Sequence, residues 1–560
     1  MSSCALCQSA FETSRDDLAF LEKISPVFGG KKELIPPPIL CPDCRQQRRL
    51  LWRNEYCLYR RTCDLCRKSI ISQYSTDKPF IVYCHECWWS DRWDPMSFGQ
   101  PYDFSQPFFE QFRALQIQVP RMALNAVANE NSEYVHLSGY NKNCYLLFAA
   151  EYCEDCHYGN QVVKSLGCMD AFNCLESLYC YEVTDVEKSH DLLFSESCSN
   201  CSGSKFLFDC KGCADCLLST NLRKKTNVVR NKQCTLEEFK REREILMTRI
   251  SKGELPQIKD EFQQLKAQSI HRAQEAVNCE VATGDYLKNC KNVRHCFDLS
   301  YGEDCSNVYT GFHVKDLMDV CHTTDAELGY NGISFGYGSY NTICTHGSWS
   351  GKNLLYCDTV QAGCTDLFGC VMVKKQQHCI LNKQYSKAEY ESLASKIIDH
   401  MRSVNEWGLF FSPSCAPFGY NETTANIYFP MTREASRSLG FPWKDGEEEM
   451  PAVSKVIKAA DLPSDIAEIP DDILSWAITC EATKRPFRIV KQELQFYRDR
   501  GLSIPHFHPD ERHRRRMALR NPRKIRMRTC MKCGKDIETT YSPDRKEKVY
   551  CENCYLREVY

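Results

Sequence analysis

The sequence has no apolar run long enough to cross a bilayer, and its opening, MSSCALCQSAFETSRDD, lacks the apolar stretch of a secretory leader. It lacks a Walker loop, a nucleophile elbow, an HExxH pair and a dinucleotide-binding glycine fingerprint. It also lacks a charge excess: 71 Lys and Arg face 73 Asp and Glu, so any electrostatic site has to be local. These absences predict a cytoplasmic chain with reduced thiols, no membrane partner and no assignable catalytic residue. Disulfides are the lesser alternative on the compartment argument.

What the chain has in abundance is cysteine, 37 in 560 residues. Cys63-Asp-Leu-Cys66 is followed after seventeen residues by Cys84-His-Glu-Cys87, and Cys530-Met-Lys-Cys533 after the same interval by Cys551-Glu-Asn-Cys554. Two CxxC pairs so spaced are the ligand set of a zinc ribbon, each turn placing two thiolates about 2.3 Å from one ion. Residues between the ligands also agree, with Lys68, Ile70, Tyr74, Ser75, Asp77, Val82 and Tyr83 matching Lys535, Ile537, Tyr541, Ser542, Asp544, Val549 and Tyr550. The terminal modules are therefore copies of each other. Ahead of the first ribbon, Cys4, Cys7, Cys41 and Cys44 form a second CxxC set, which predicts three structural Zn2+ ions in all. In the carboxy-terminal copy only Cys480 survives of that outer set; Thr483, His508 and Glu511 replace the others, which predicts a metal-free lobe, with a metal held by Cys480, His508 and Glu511 as the lesser alternative.

Each copy carries an arginine stripe. Arg45, Arg48, Arg49 and Arg53 correspond to Arg512, Arg515, Arg516 and Arg520, at i, i+3, i+4 and i+8, one face of a helix. One reading is phosphate binding, in which a ribbon holds the helix while guanidinium groups dock on DNA or RNA. The other is a solvated face, or arginines paired with acids elsewhere in the fold. The aromatics that follow, Trp88, Trp89, Trp93 and the Phe/Pro-rich stretch 95–120, read as an arm packed against the next domain, with base stacking as the alternative.

The middle is duplicated too. Residues 131–234 and 279–385 show short β-like runs punctuated by Asn, Asp or Gly beside Cys, as at Asn143-Cys144, Asp155-Cys156, Asn173-Cys174, Asp215-Cys216 and Asp304-Cys305. This pattern predicts a parallel β-helix-like solenoid with an irregular period, its cysteines forming buried ladders. The CxxC pairs at 153/156 and 198/201 and the triple Cys210, Cys213 and Cys216 leave extra metal open. Thr235 with Glu238, and Ser386 with Glu389, are capping boxes, each opening a helix that closes one half. Asp319, Asp325 and Asp358 are candidate acids of a solenoid groove, and His313, His322 and His346 have no fixed motif.

Between these parts, 240–275 reads as charged helices interrupted near Gly253 and Pro256, Pro417–Thr423 as a tight loop in which Gly419 and Asn421 tolerate left-handed angles, and Asp445–Glu449 as an acidic linker. The segments LNKQYSKAEY (381–390), APFGYNETTA (416–425) and NPRK with the ribbon TCMKCGKDIETTYSPDRKEKVYCENCYLREVY (529–560) resemble a large uncharacterised family of zinc-ribbon proteins frequent in candidate-phylum bacteria. The resemblance implies a bacterial cytosolic setting and a common architecture, with no activity to carry over.

The expected architecture is mainly β with α: a zinc module at 1–93, an aromatic arm at 94–130, solenoid halves at 131–234 and 279–385, a helical connector at 235–278, a capping helix at 386–403, a mixed region at 404–475 and a degenerate second module at 476–560. The expected function is non-enzymatic nucleic-acid binding through the arginine helices. The alternatives are a protein-interaction scaffold using the solenoid, and a solenoid enzyme acting on a polymer.

Overall fold

The computed structural model describes residues 1–446 and 453–560. Of the acidic linker expected at Asp445–Glu449, positions 447–449 lie outside the described residues. The chain is mixed α/β and mostly sheet, with two large, mainly parallel sheets of ten and eleven strands that we call the first and second arrays. No helix among the described residues is long and apolar enough to cross a membrane.

The first array runs from Val135 to Gln233 on a strict step of twelve residues: Tyr145 pairs with His157, His157 with Met169 and Met169 with Tyr181, all in parallel. The backbone shows how so short a step is possible. From Leu137 to Arg230 every third residue has a positive φ, from Asn143, Asp155 and Asp215 to bulky Tyr158 and Leu146. Each left-handed residue turns the chain, so twelve residues contain four corners. Such angles are uncommon outside Gly, Asn and Asp, which explains the recurring Asn and Asp beside cysteine.

The residue after each corner points inward, which imposes a period of three. Cys144, Leu147, Ala150, Cys153, Cys156 and Val162 form one buried cluster with Cys168, Ala171, Cys174 and their successors. Only small or slender side chains fit there. The thiol also does a job that serine does equally well: Cys144 Sγ donates to the carbonyls of Lys142 and Cys153, as Ser165 Oγ donates to those of Val163 and Cys174. The middle cysteines are thus core ladders. The three groups of closely placed Cys, His, Asp or Glu ligand atoms found among the described residues all lie in the terminal modules.

The second array repeats the pattern with less regularity. Its steps are eleven at Ala276–Leu287, twelve at Phe297–Tyr309 and thirteen at Lys352–Thr365. Both arrays end in an antiparallel turn, Val229 with Lys232 and Ile380 with Lys383. Helices Leu236–Ser251 and Lys387–Ser403 follow, and both expected capping boxes are formed. The connector is two helices, with a second at Leu255–Gln268, broken at Gly253.

The aromatic arm is packed inside: Phe108, Phe112 and Trp88 are fully buried, and Trp88 Nε1 donates to the Pro120 carbonyl. The loop at Pro417 is also packed, but its glycine has a different cause from the one expected. Gly419 has an ordinary φ of −69°, and a Cβ there would lie 2.4 Å from the Lys444 backbone nitrogen.

Candidate metal centres and the arginine helices

Cys4, Cys7, Cys41 and Cys44, then Cys63, Cys66, Cys84 and Cys87, then Cys530, Cys533, Cys551 and Cys554, form three groups whose sulfurs lie within 4.8 Å of one another. Each is assembled the same way. The first cysteine donates its backbone N–H to the residue five ahead and accepts from the residue four ahead, as Cys63 does with Lys68 and Arg67. Its sulfur then receives the N–H of the third cysteine: Cys41 to Cys4 at 3.3 Å, Cys84 to Cys63 at 3.3 Å and Cys551 to Cys530 at 3.2 Å. That third cysteine begins a helix in every case, at Pro42–Leu50, His85–Trp89 and Glu552–Val559.

The donor sets fit a metal ion. Four thiolates about 2.3 Å from a tetrahedral centre lie about 3.8 Å apart, and the recorded S–S contacts are 3.6 Å for Cys7–Cys41 and 3.8 Å for Cys66–Cys84 and Cys533–Cys551. Burial alone would raise the Cys63 and Cys530 thiols, but backbone N–H groups outweigh it and hold both down to about 6, which favours the thiolate a metal needs.

The outer lobe of the carboxy-terminal copy keeps the same backbone around different side chains. Cys480 donates to Arg485 and accepts from Lys484, and Lys484 holds φ 61°, the value of Gln8 at the equivalent turn. Glu511, standing where Cys44 stands, is taken up by Arg514 and Arg515 at 2.7–2.8 Å.

Three arginines of each expected stripe share one helix, Pro42–Leu50 or Pro509–Met517, while Arg53 and Arg520 lie just past its end, and most of these side chains point inward. Asp319 of the second array is fully buried between Arg45 at 2.8 Å and Arg49 at 3.6 Å, and Arg49 also donates to Asn331 at 3.0 Å. Asp170 of the first array is fully buried between Arg512 at 2.5 Å and Arg516 at 2.6 Å. Arg53 binds Glu55 and Ser334; Arg520 binds Asp298 and, at 3.1 Å, Asp185. Arg48 donates to the Phe411 carbonyl. Only Arg515 keeps a half-exposed side chain, paired to Glu511. Of the eight arginines expected at a nucleic-acid surface, seven are thus engaged inside the fold, and five of them, Arg45, Arg49, Arg512, Arg516 and Arg520, compensate buried array carboxylates.

The match between copies is crossed. The amino-terminal arginine helix docks on the second array and the carboxy-terminal one on the first. Conversely, ribbon strand Val82–Tyr83 pairs with Arg121–Met122, which leads into the first array, and Lys548–Tyr550 pairs with Ile270–Arg272, which leads into the second. Each terminal module thus contacts both halves of the middle.

The candidate groove acids separate likewise. Asp319 is spent on arginines, and Asp358 is fully buried against Arg121, Gln116 and His346. Asp325 remains at the surface beside His313 at 3.6 Å. His322 is buried, and that burial, helped by the nearby positive charges of Arg53 and Arg523, pushes its pKa well below the usual histidine value. The partners that residue patterns did not single out, Asp170, Asp185, Asp298 and Asn331, sit at left-handed corners and look like turn residues. The one available signal was that Asp170 and Asp319 hold equivalent places in the duplicated arrays. No known family model matches the chain, and no curated protein matches it.

Proposed function

We propose that the chain is a zinc-stabilised, non-enzymatic protein-interaction scaffold. In this reading each array is a closed four-sided β-helical coil of about twelve residues per turn, the three Cys4 groups hold Zn2+, and the terminal modules are brackets that fix the coils side by side. The supporting observation is the crossed pair of clamps, Asp319 with Arg45 and Arg49, and Asp170 with Arg512 and Arg516. They spend the basic stripes on internal assembly and leave the outer faces of the arrays as the accessible surface.

Nucleic-acid binding by the stripes asks for exposed guanidinium groups in a row, and seven of the eight are otherwise engaged. Two measurements on the zinc-loaded chain decide between the readings. Affinity purification after nuclease treatment is expected to retain a stoichiometric protein partner. Anisotropy of labelled DNA and RNA over a salt series is expected to show no binding that Arg515→Ala removes. Salt-steep nucleic-acid binding, with no protein retained, would reverse the assignment.

A further inference from the structure

The last turn of each array sends one cation onto aromatic side chains at the ribbon helix of a terminal module. Arg223 of the first array and Lys374 of the second hold equivalent places, each eight residues before the asparagine of the closing turn, Asn231 or Asn382. Their targets are equivalent too, since Tyr555 and Trp88 each follow the fourth cysteine of a ribbon. Arg223 lies 5.9 Å from the Tyr555 ring centre and 5.3 Å from that of Tyr560, and Asp209 neutralises it at 3.0 Å. Lys374 is held differently. Its Nζ stands 5.3 Å from the Trp88 ring centre and 5.6 Å from those of Trp89 and Trp93, and it donates to the Trp88 carbonyl at 3.1 Å. Asp91 and Asp94 act on it only from beyond ion-pair distance.

Three indoles around one ammonium form an aromatic cage, and the charge itself makes the contact, because the negative face of each ring attracts a cation. Trp88 is fully buried, whereas Trp89 is 37 % exposed and Lys374 half-buried, so the cage meets solvent on the Trp89 side. Burial lowers the Lys374 pKa from the ordinary lysine value, which raises the fraction of free amine.

We propose that Lys374 is a charge-dependent latch between the amino-terminal ribbon and the second array, and that Nε-acylation by an acyl phosphate opens it. The ammonium first gives a proton to water. The free amine then attacks the acyl carbon, a C–N bond forms, the C–O bond to phosphate breaks, and phosphate leaves with the second amine proton. The product is a neutral amide that the cage no longer attracts as a cation. Arg223, a guanidinium balanced by Asp209, is the fixed counterpart at the carboxy-terminal ribbon.

The test compares zinc-loaded full chains carrying Nε-acetyl-lysine or Nε-methyl-lysine at position 374, introduced during synthesis, with Lys374→Gln and with Lys375→Gln at the exposed neighbour. Amide exchange at His85–Trp89 is expected to rise about tenfold with acetyl-lysine and with Lys374→Gln, and to stay at the parent rate with methyl-lysine and Lys375→Gln. Exchange at Glu552–Val559 is expected not to change. Trp89→Leu, which removes the exposed wall of the cage, is expected to give the same rise by an independent route. Zinc content equal to the parent's qualifies each variant. Treatment of the parent chain with acetyl phosphate, mapped by peptide mass spectrometry, is expected to acylate Lys374 ahead of Lys375. Exchange that stays at the parent rate with both neutral side chains, or rises equally with methyl-lysine, overturns the latch. Lys374 left unmodified while Lys375 is acylated shows that the closed cage shields its amine, and overturns acylation as the release.

Discussion

Asp170 and Asp319 show how much one buried carboxylate can organise. Each is fully buried and shared by two arginines one helical turn apart. Removing the charge leaves Arg45 and Arg49, or Arg516, desolvated without a carboxylate, and leaves Arg512 only Glu493 at 3.4 Å, so Asp170→Asn and Asp319→Asn are each expected to destabilise the chain by about 3–5 kcal/mol. Denaturant titration checks this, and a loss within experimental error of zero would show that the pairs are not formed. Replacing both arginine partners by Met beside Asp170→Asn should recover part of the loss, because an apolar contact of similar shape costs less than an unpaired charge. The inward cysteines illustrate the opposite lesson at this scale. Their thiols repeat a hydrogen bond that Ser165 and Ser177 make equally well, so size and a weak donor place them there, with no metal required.

The elements divide into those fixed by neighbours in the chain and those fixed by stacking. The closing helices belong to the first group. Thr235 and Ser386 each accept the N–H of the glutamate three residues on, which in turn accepts the cap N–H. Thr235→Ala and Ser386→Ala are expected to cost about 1 kcal/mol each, read by thermal or denaturant unfolding. The penalty should be additive in the double variant, since the helices close different arrays. The array strands belong to the second group. A strand of four residues with a left-handed corner at each end has no stability alone; it persists because the next turn lies one step above it.

At the scale of the molecule, each terminal module touches both halves of the middle. It meets one array through its arginine helix and the other directly elsewhere, since Asn160 of the first array donates to Glu55 at 2.8 Å and Thr540 donates to Asp285 of the second at 2.6 Å. Elemental analysis is expected to find three zinc ions per chain. Chelation is expected to lower the melting temperature, with amide exchange rising first at Val82–Tyr83, Arg121–Met122, Ile270–Arg272 and Lys548–Tyr550, where ribbon meets array. Exchange that rises uniformly, or a melting temperature indifferent to chelation, would show that the sulfur groups do not brace the fold.

The sequence alone determined the parts whose physics is local. A CxxC turn fixes two sulfurs within a few residues, so the twelve module cysteines and their grouping were legible, as were the capping boxes and the duplications. The array was half legible: Asn or Asp beside Cys pointed to stacked turns, but a period of three hides behind tolerant inward positions where Cys, Ser, Ala, Val and Leu interchange. What only the tertiary structure decided was the direction of the arginine stripes. A row of guanidinium groups suits phosphates in solvent and buried carboxylates equally well, and the deciding acid, Asp319, lies 274 residues from Arg45 in the chain. No local pattern spans that distance; folding brings the charges together, and the cost of leaving either one buried and alone sets which way the helix faces.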